Sequence, residues 1–491
     1  MKPLIRKEET VVNQGKTIRY RFCGQTIIKK QITPTGKCVR LFGIPVYSKV
    51  NKVRNYEEVK RKLLGVVISR KKKPICGDSD NDSTTVFTPL VDSAYKYESW
   101  HGSKFYPRSV QQNDSCAEEA VSVIIPCYNG MEHLKKLVPS LFRNTSYPHK
   151  FIFINDCSPD SNVLPWLNEQ CKGRDDCLVL NNEINLGFPA TVNKGVNASS
   201  GHIVLLNTDT EVPEGWLERL MKPIWENSRV ASVTPFSNAA TFHSFPFICD
   251  DAINREFLQE FGLEQIDSVL RTDKSEAPYY DSPCGVGFCM AMNRDVWNLI
   301  GELDAESFKA GYGEECDWCQ RAVKCGFVNV IMPRLFVSHH HGGSFEPEKK
   351  RKLLENAELM LKKKHPKIYE DTAKFVNENP WKDIRASALI RLMLNGVKNH
   401  KLYFIHCKDT DLVGEKLQKD IEHGLCVWAL VNQEKTSSLC IYYKKFGFTF
   451  HGISHEALFI DDFKNITMIE EFYDGTNPPA WISNVKRFIK G

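Results

Sequence analysis

The segment Ile203–Val212 constrains the fold of this chain more than any other. Four apolar residues, Ile203–Leu206, are followed at once by Asn207 and Asp209, whose side chains offer oxygen ligands. Buried strands of parallel sheets read as continuous apolar runs, and ligands collect at their carboxyl ends. Oxygen ligands at such a position suit Mg²⁺ or Mn²⁺ bound to a diphosphate. Taken alone, the segment is equally compatible with a simple turn that is capped by Asp209 and Glu211.

The same pattern, an apolar strand that ends in polar residues or a turn, recurs upstream. The runs Val121–Cys127, Phe151–Asp156 and Leu178–Leu180 all follow it. Segments with the apolar spacing of a helix separate these runs, and Leu134 and Leu141 fall on one helical face. This alternation of strands and helices predicts a doubly wound α/β sheet.

An acidic cluster occurs further along the chain. Glu314, Glu315 and Asp317 place three carboxylates within four residues at the start of a predicted helix. Negative charge is stabilised at a helix amino terminus, so the cluster has a purely structural interpretation. Like charges this close also raise one another's pKa, which suits a proton acceptor. Both interpretations stay open on the residues alone.

Three consecutive histidines, His339–His341, follow an apolar strand shortly after the acidic cluster. A single histidine is more often a packed or surface residue than a metal ligand. Neutral imidazole is nevertheless an acceptable ligand for Mn²⁺, so the triplet is a candidate for completing a metal site.

Together these segments resemble the family 2 glycosyltransferases, which are inverting enzymes with the GT-A fold. The resemblance covers about residues 121–345 and includes features of the rhamnosyl- and galactofuranosyltransferase-like subgroup. It implies a GT-A type doubly wound mixed sheet. Six pieces occur in the order typical of the family: Val-Ile-Ile-Pro-Cys-Tyr-Asn, Ile-Asn-Asp-Cys-Ser-Pro-Asp, Asn-Leu-Gly-Phe-Pro-Ala-Thr-Val-Asn-Lys-Gly, Leu-Asn-Thr-Asp-Thr-Glu-Val, Gly-Tyr-Gly-Glu-Glu-Cys-Asp-Trp-Cys-Gln-Arg and Val-Ser-His-His-His-Gly-Gly-Ser-Phe.

The resemblance implies a binding site for a nucleoside-diphosphate sugar, with UDP or dTDP as the nucleotide. Asp156 matches the family position whose carboxylate holds the nucleotide base, which is a charge-assisted contact. The structural alternative is a helix cap, a role that Asp160 fits better. Gly187 also has an alternative role, because glycine supplies backbone freedom. The other implied nucleotide- and donor-binding residues are Pro126, Tyr128, Asn185, Asn193 and Asn207.

The resemblance also implies a divalent metal, Mn²⁺ or Mg²⁺. Asn207-Thr-Asp209 stands where the family has Asp-X-Asp, with Asn replacing the first Asp. Asp209 is then the principal ligand and His339 completes the site, with His340 and His341 as alternatives. Such a metal neutralises charge on the departing diphosphate.

For catalysis, the resemblance implies that Glu315 is the general base, at a position where many relatives have Asp. Glu314 and Asp317 are the alternatives. It also implies an acceptor site at Gly285, Gly287 and Trp318. The two glycines have a second interpretation as a tight turn that enters a core strand.

The composition limits the classes of protein to which this chain can belong. The 491 residues suffice for two or three domains, and 42% hydrophobic with 25% charged residues is typical of globular proteins. No apolar stretch reaches transmembrane length.

We predict a small basic β-rich module at 1–75, a linker at 76–118, a catalytic domain at 119–375, and a helical connector with a small α/β domain of unknown function at 376–491.

Residues 1–75 carry 20 Lys and Arg against 4 Asp and Glu, although the net charge of the whole chain is only +5. This block fits a solvated face or a dock for an anionic membrane surface. Nucleic-acid binding is disfavoured because no recognisable module is present. The 17 cysteines lack a disulfide-like framework and are interpreted as reduced thiols. We therefore expect a cytoplasmic protein, peripheral on the inner face of the membrane, with no nucleic-acid partner.

The combined prediction is an inverting, metal-dependent glycosyltransferase. It transfers a sugar from a nucleoside-diphosphate donor to a hydroxyl of a glycan or lipid-linked acceptor, in cell-surface polysaccharide biosynthesis. Two alternatives remain. One is a catalytically inactive GT-A domain that serves as a glycan-binding or scaffold module. The other is a nucleotidyltransferase, which would normally need a Gly-rich phosphate loop after its first strand.

Overall fold

The computed structural model describes Trp100 and residues 104–105, 120–271, 279–309, 311–340, 347–406, 410–433, 436–451 and 466–473. It also describes the backbone of seven strands between residues 5 and 74. The chain forms two compact units, Pro89–Ala388 and, in the other, Met1–Thr88 with Leu389–Gly491. The predicted domain boundaries stay predictions. The larger unit extends past the predicted end of the catalytic domain at residue 375.

The seven amino-terminal strands form one antiparallel meander, in which each strand pairs with the next along the chain. This agrees with the expected β-rich module. The side chains of the basic block lie outside the described residues, so the membrane interpretation stays a prediction. The strands are β1 (Ile5–Val12), β2 (Gly15–Phe22), β3 (Gln25–Thr33), β4 (Gly36–Leu41), β5 (Ile44–Val53), β6 (Tyr56–Leu63) and β7 (Val66–Pro74).

The larger unit alternates strands and helices, as the sequence predicts. Its strands are β8 (Lys104–Phe105), β9 (Val121–Cys127), β10 (His149–Asn155), β11 (Cys177–Asn181), β12 (Ile203–Leu206), β13 (Thr210–Glu211), β14 (Val230–Phe236), β15 (Tyr279–Ser282), β16 (Cys289–Met292), β17 (Val328–Phe336) and β18 (Ser338–His339). Its helices are α1 (Met131–Asn144), α2 (Val163–Cys171), α3 (Phe188–Asn197), α4 (Trp216–Glu226), α5 (Asp251–Leu258), α6 (Leu263–Arg271), α7 (Arg294–Ile300), α8 (Glu314–Lys324), α9 (Pro347–Lys364) and α10 (Ile368–Glu378). Helix α11 (Lys382–Gly396) follows.

Nine strands form one mixed sheet in the order β11-β10-β9-β12-β16-β14-β17-β15-β8. Strands β11, β10, β9 and β12 are parallel, which confirms the predicted doubly wound α/β sheet. All four residues of β12 are fully buried, as expected for a strand that is covered on both faces. Helix α1 buries Leu134, Leu137, Val138 and Leu141 against the sheet, because their spacing places them on one side of the helix.

Strand β16 runs antiparallel to both of its neighbours, β12 and β14. The amino-terminal end of β16 therefore lies beside the carboxyl end of β12. The backbone N–H of Asn207 donates to the carbonyl of Phe288 over 2.8 Å, which joins the two segments. The glycine loop before β16 thus lies at the edge of the sheet where Asn207 and Asp209 are found.

A two-stranded ribbon lies beside this edge. Strand β13 pairs antiparallel with β18, and Thr210 is opposite His339. The backbone N–H of His340 also donates to the carbonyl of Asp209 over 2.8 Å. The ribbon therefore holds together two segments that are about 130 residues apart in sequence.

The carboxyl-terminal segment is a small α/β unit, as predicted. Strands β19 (His400–His406), β20 (Cys426–Gln433), β21 (Thr436–Tyr443), β22 (Phe446–His451) and β23 (Met468–Tyr473) form a sheet in the order β22-β21-β20-β19-β23, and helix α12 is Thr410–Glu422. Val413 and Leu417 of α12 pack against Tyr403 and Val427 of the sheet. Among the helices that the structure describes, none is both long and apolar enough to cross a membrane.

Candidate active site

The imidazole of His339 and the carboxylate of Asp209 meet at the sheet edge, with Nε2 3.3 Å from Oδ1. Nδ1 of His339 lies 2.7 Å from the carbonyl oxygen of Ala239, which can only accept a hydrogen bond. In the tautomer with the proton on Nδ1, this nitrogen donates to the Ala239 carbonyl and the lone pair of Nε2 is directed towards Asp209. A hydrogen bond from the second ring nitrogen to a carbonyl is typical of histidines that bind metals.

The surroundings of His339 hold its ring in place. Asn238 clamps the His339 backbone, accepting from the N–H and donating to the carbonyl, each over 2.8 Å. The ring stacks on Phe288, with centroids 5.1 Å apart, and His339 is only 6% exposed. Because the ring cannot turn freely, Nε2 is preorganised to face Asp209.

His340 has a different partner. Its Nε2 lies 2.5 Å from Oε1 of Glu211, and this hydrogen bond lowers the pKa of Glu211. His340 also stacks on His133 of α1, with ring centroids 6.4 Å apart. Of the two histidines that the structure describes here, His339 is therefore the one that faces Asp209. His341 lies outside the described residues.

Asp156 is buried, and its carboxylate organises the loop that precedes α3. Oδ1 accepts from the Asn182 amide and from the Leu186 N–H, each over 2.8 Å, and Oδ2 accepts from the Gly187 N–H over 3.0 Å. The Asn185 amide donates to the Asp156 carbonyl over 3.3 Å. The carboxylate of Asp156 thus fixes the predicted donor loop. Direct contact with a nucleotide base stays a prediction.

The alternative role for Asp160 as a helix cap is wrong. The cap residue of α2 is Asn162, and Asp160 accepts from the Asn162 backbone N–H over 3.0 Å. Gly187 has a φ of 81° and precedes α3, so its position requires a glycine backbone.

Two other predicted donor residues lie at the end of β9, where Pro126 is half-buried and Tyr128 is 37% exposed. Asn193 is buried and exchanges two hydrogen bonds with the backbone of Leu303, so its amide links α3 to that segment. As donor contacts, these three residues stay predictions.

The acidic cluster follows three consecutive residues with positive φ: Gly311 (98°), Tyr312 (71°) and Gly313 (96°). This turn places Glu314 and Glu315 in the first turn of α8. Oε2 of Glu315 accepts from the Gly313 N–H over 3.2 Å, and the Glu315 side chain is partly exposed. Burial raises the pKa of Glu315, which backbone hydrogen bonds partly offset. Such a carboxylate suits a proton acceptor near neutral pH.

Glu314 differs from its neighbour. It is 4% exposed, and within the described part of the chain its Oε2 has no hydrogen-bond partner. Burial, followed by the charge of Glu315, raises the pKa of Glu314 well above its ordinary value. Burial thus favours the neutral acid form of Glu314, and Glu315 is the more accessible of the two carboxyl groups.

Asp317 cannot serve as the general base. Its side chain is fully buried, with Oδ1 2.6 Å from Lys364 Nζ and 2.8 Å from His365 Nε2, and Oδ2 accepts from Arg321 Nε over 3.0 Å. Burial acts to raise the pKa of Asp317, but the hydrogen bonds from His365 and Lys364 outweigh it and lower the pKa. Asp317 thus anchors α8 to the end of α9.

We expect Asp317→Asn to destabilise the protein by about 3 kcal/mol, because it removes one partner of a buried ionic network. The folded pKa of Asp317 is lowered, so its contribution is present above the unfolded value of 3.8 and is lost as pH falls through the folded pKa. Urea unfolding of the full chain at pH 7 measures the effect. Glu355→Gln, which breaks an exposed ion pair on α9, is the control and should leave the midpoint unchanged. Equal midpoints for Asp317→Asn and the wild type would contradict this structural role.

Trp318 is also wrong as an acceptor contact. It is fully buried, its ring lies 6.0 Å from that of Trp297, and its Nε1 donates to the Gly301 carbonyl over 3.0 Å. Gly285 is a packing position, because a Cβ there would lie 2.9 Å from both Met290 Sδ and Thr234 Oγ1. Gly287 differs, since a Cβ there would lie 3.8 Å from Glu315 Cγ. Of the predicted acceptor residues, only Gly287 lies beside the candidate base.

Sequence reasoning missed Tyr312. Burial raises the pKa of the Tyr312 hydroxyl, and the nearby charges of Glu314, Asp209 and Glu315 add to this effect. The hydroxyl of Tyr312 is therefore within electrostatic reach of both Asp209 and the candidate base Glu315. A bulky residue between two glycines, directly before an acidic cluster, was the available signal, because Tyr rarely adopts positive φ without a functional or packing reason.

Comparison with known proteins gives a family match for one part of the chain. The sequence profile "Glycosyl transferase family 2" matches residues 122–300. Residues 122–300 belong to glycosyl transferase family 2. The match includes β9 to α7 and thus Asp156 and Asp209, whereas Glu315 and His339 follow it in the sequence.

Several curated relatives of this segment carry transferase names. The chain is 26% identical over 260 residues to "Putative polypeptide N-acetylgalactosaminyltransferase 13" of Drosophila melanogaster, covering 50% of this chain and 46% of the relative. It is 28% identical over 236 residues to "N-acetylgalactosaminyltransferase 7" of the same organism, covering 45% and 39%. It is 27% identical over 114 residues to an "Uncharacterized glycosyltransferase" of Haemophilus influenzae, covering 23% and 35%. The chain thus spans less than half the length of these relatives.

Two solved structures are similar in part. One is GalNAc-T7 with UDP, GalNAc and Mn²⁺, with a TM-score of 0.36 and 18% identity, covering 56% of each chain. The other is the mannosyltransferase PcManGT of Pyrobaculum calidifontis with GDP-Man and Mn²⁺, with a TM-score of 0.38 and 16% identity, covering 55% of this chain and 74% of that one.

Proposed function

We propose that this chain is an inverting, metal-dependent glycosyltransferase that moves a sugar from a nucleoside diphosphate to a hydroxyl of a glycan or lipid-linked acceptor. The observation that carries the proposal is the His339–Asp209 pair, which lies at the same edge of the sheet as the glycine loop beside Glu315. Membership of residues 122–300 in glycosyl transferase family 2 supports it. The placement in cell-surface polysaccharide biosynthesis comes from the sequence resemblance and stays part of the proposal.

The donor atoms at the sheet edge fit a divalent cation. With the His339 proton on Nδ1, a nitrogen lone pair and a carboxylate oxygen face each other over 3.3 Å, an arrangement that a cation stabilises. Carboxylate and imidazole together suit Mn²⁺ better than Mg²⁺, which prefers oxygen alone. When bound, the metal supplies Lewis-acid stabilisation of the departing diphosphate. Asp209 and His339 would hold it, and the donor diphosphate would supply further oxygens.

Glu315 is proposed as the general base. It would accept the proton of the acceptor hydroxyl while the hydroxyl oxygen attacks the anomeric carbon, and the bond to the diphosphate breaks on the opposite face. Its partial exposure and raised pKa suit this role, whereas Glu314 is buried and burial raises its pKa well above the ordinary value. Holding acceptor and donor in line contributes most of the rate in such reactions, together with preorganised charge.

The donor is proposed to be a UDP-sugar or a dTDP-sugar. The loop fixed by Asp156 would contact the nucleotide, because it lies at the carboxyl end of β10 next to β9. The names of the relatives make N-acetylgalactosamine, carried by UDP, the first donor sugar to test.

The deciding experiment screens purified full-length protein against a panel of sugar nucleotides with Mn²⁺ and measures nucleoside diphosphate release. We expect release with at least one donor, loss of release on chelation, and recovery when Mn²⁺ is added back. NMR of the transferred sugar should show an inverted anomeric configuration. Failure of every donor would favour a binding or scaffold module. Formation of nucleoside triphosphate and sugar 1-phosphate when pyrophosphate is added to the donor would favour a nucleotidyltransferase. Retention of configuration would overturn the inverting mechanism alone.

A further inference from the structure

A cavity of about 190 Å³ lies between the segment that precedes α8 and helix α9. Ser307, Phe308, Lys309 and Tyr312 line one side, and Leu353 and Asn356 of α9 line the other. Pockets for drug-sized ligands usually occupy about 300–1,000 Å³. This cavity is smaller, so it fits one sugar ring rather than a longer chain.

The cavity adjoins the candidate reaction centre through two of its lining residues, Gly311 and Tyr312. A Cβ on Gly311 would lie 3.9 Å from Glu314 Oε1 and 3.5 Å from Phe188 Cβ, at the start of α3 beyond the donor loop. Tyr312 directly precedes Gly313, whose backbone N–H donates to Oε2 of Glu315 over 3.2 Å. A ligand in the cavity would therefore lie close to both the donor loop and the base.

The chemistry of the lining matches a neutral sugar. Tyr312 and Leu353 supply half-buried apolar surface, while Ser307 and Asn356 offer groups that hydrogen-bond to hydroxyls. Glu306 and Lys309, both exposed, carry opposite charges and leave the lining without net charge. An anionic ligand would need a surplus of basic groups, which the lining does not provide.

We propose that this cavity binds the terminal sugar unit of the acceptor and that Tyr312 positions it for the base. The proposal rests on the proposed function and replaces the acceptor contact predicted at Trp318. The subsite selects a neutral, hydroxyl-rich monosaccharide unit.

Two neighbouring leucines on α9 provide a matched test. Leu353 lines the cavity, whereas Leu354 does not and is 45% exposed. Leu353→Trp should fill the cavity and raise the KM for a p-nitrophenyl monosaccharide acceptor by about tenfold or more. A pocket typically discriminates by such a factor against a group that fits it poorly. Leu354→Trp should leave that KM unchanged. Release of nucleoside diphosphate without acceptor should be equal in both variants, because the donor site is untouched.

A binding measurement keeps this proposal separate from the proposed function. Saturation-transfer NMR with a panel of p-nitrophenyl glycosides of neutral hexoses, hexosamines and pentoses detects sugar binding without any donor. We expect binding to the wild type and to Leu354→Trp, and loss of binding in Leu353→Trp. Asn356→Trp, at an exposed lining position, should give the same loss if Leu353→Trp fails to fold. Absence of glycoside binding by the wild type, or binding that survives both lining substitutions, would overturn the subsite. Failure of donor hydrolysis alone would overturn only the proposed function.

Discussion

Glu315→Gln is expected to lower the rate of sugar transfer by about 10²–10⁴-fold, which is the usual contribution of a general base. Glutamine preserves the size of the side chain but cannot accept the proton of the acceptor hydroxyl. The hydrogen bond from the Gly313 N–H can still form to the amide oxygen, so the first turn of α8 should persist. Initial rates of transfer at saturating donor, together with thermal unfolding, measure the two effects separately.

Glu314→Gln is the matched control. Burial raises the pKa of Glu314 well above its ordinary value and favours the neutral acid, for which glutamine is a neutral replacement of the same shape. Its effect on transfer should therefore be much smaller. The acidic limb of the wild-type pH–rate profile should lie above pH 4.5, since Glu315 must lose its proton to act and burial raises its pKa. If Glu314→Gln proves the more damaging change, the base has been assigned to the wrong carboxylate.

His339→Gln is expected to raise the Mn²⁺ concentration for half-maximal activity by at least about tenfold, because loss of even an outer-shell partner typically costs 10–100-fold in metal affinity. Asp209→Ala should abolish activity at all practical Mn²⁺ concentrations, since it removes the only carboxylate of the pair. Nucleoside diphosphate release as a function of Mn²⁺ concentration measures both effects. Calorimetric titration of Mn²⁺ in the presence of the nucleoside diphosphate measures binding directly.

His340→Gln is the control for the metal assignment. His340 is next to His339 in sequence, but its Nε2 is bonded to Glu211 rather than facing Asp209. We expect its Mn²⁺ dependence to remain close to that of the wild type. Equal Mn²⁺ requirements for the His339 and His340 variants would show that His339 does not hold the ion.

The larger sheet was predictable because its signals are local. Strands β9, β10 and β12 are unbroken apolar runs, and α1 has its apolar residues at helical spacing, so burial alone determines both the element and the buried face. The approach of Asp209 to His339 was implied by family resemblance rather than by local pattern. Its physical cause is the pairing of β13 with β18. Each strand contributes only two residues to this long-range contact, so the hydrophobic periodicity of the sequence does not reveal it.

The roles within the acidic cluster could not be separated from sequence. Glu314, Glu315 and Asp317 share the first turn of α8. Side chains of successive residues point in directions that differ by about 100° around the helix axis. Which direction faces solvent depends on what packs against the helix. Lys364 and His365 contact Asp317 from more than 45 residues away and remove it from the candidate bases. Trp318 was misassigned for the same reason, because its stacking partner Trp297 lies on α7.

The position of β17 in the sheet has a practical consequence for expressing this protein in pieces. The family match ends at residue 300, yet β17 lies between β14 and β15 and is therefore an interior strand. A fragment that stops at the end of the match would leave β14 with an unpaired edge, which is prone to aggregation. It would also lack α8 and the β18 strand, and with them Glu315 and His339. Expression boundaries for crystallisation or assay should therefore include at least β18, whatever the limits of the recognised domain.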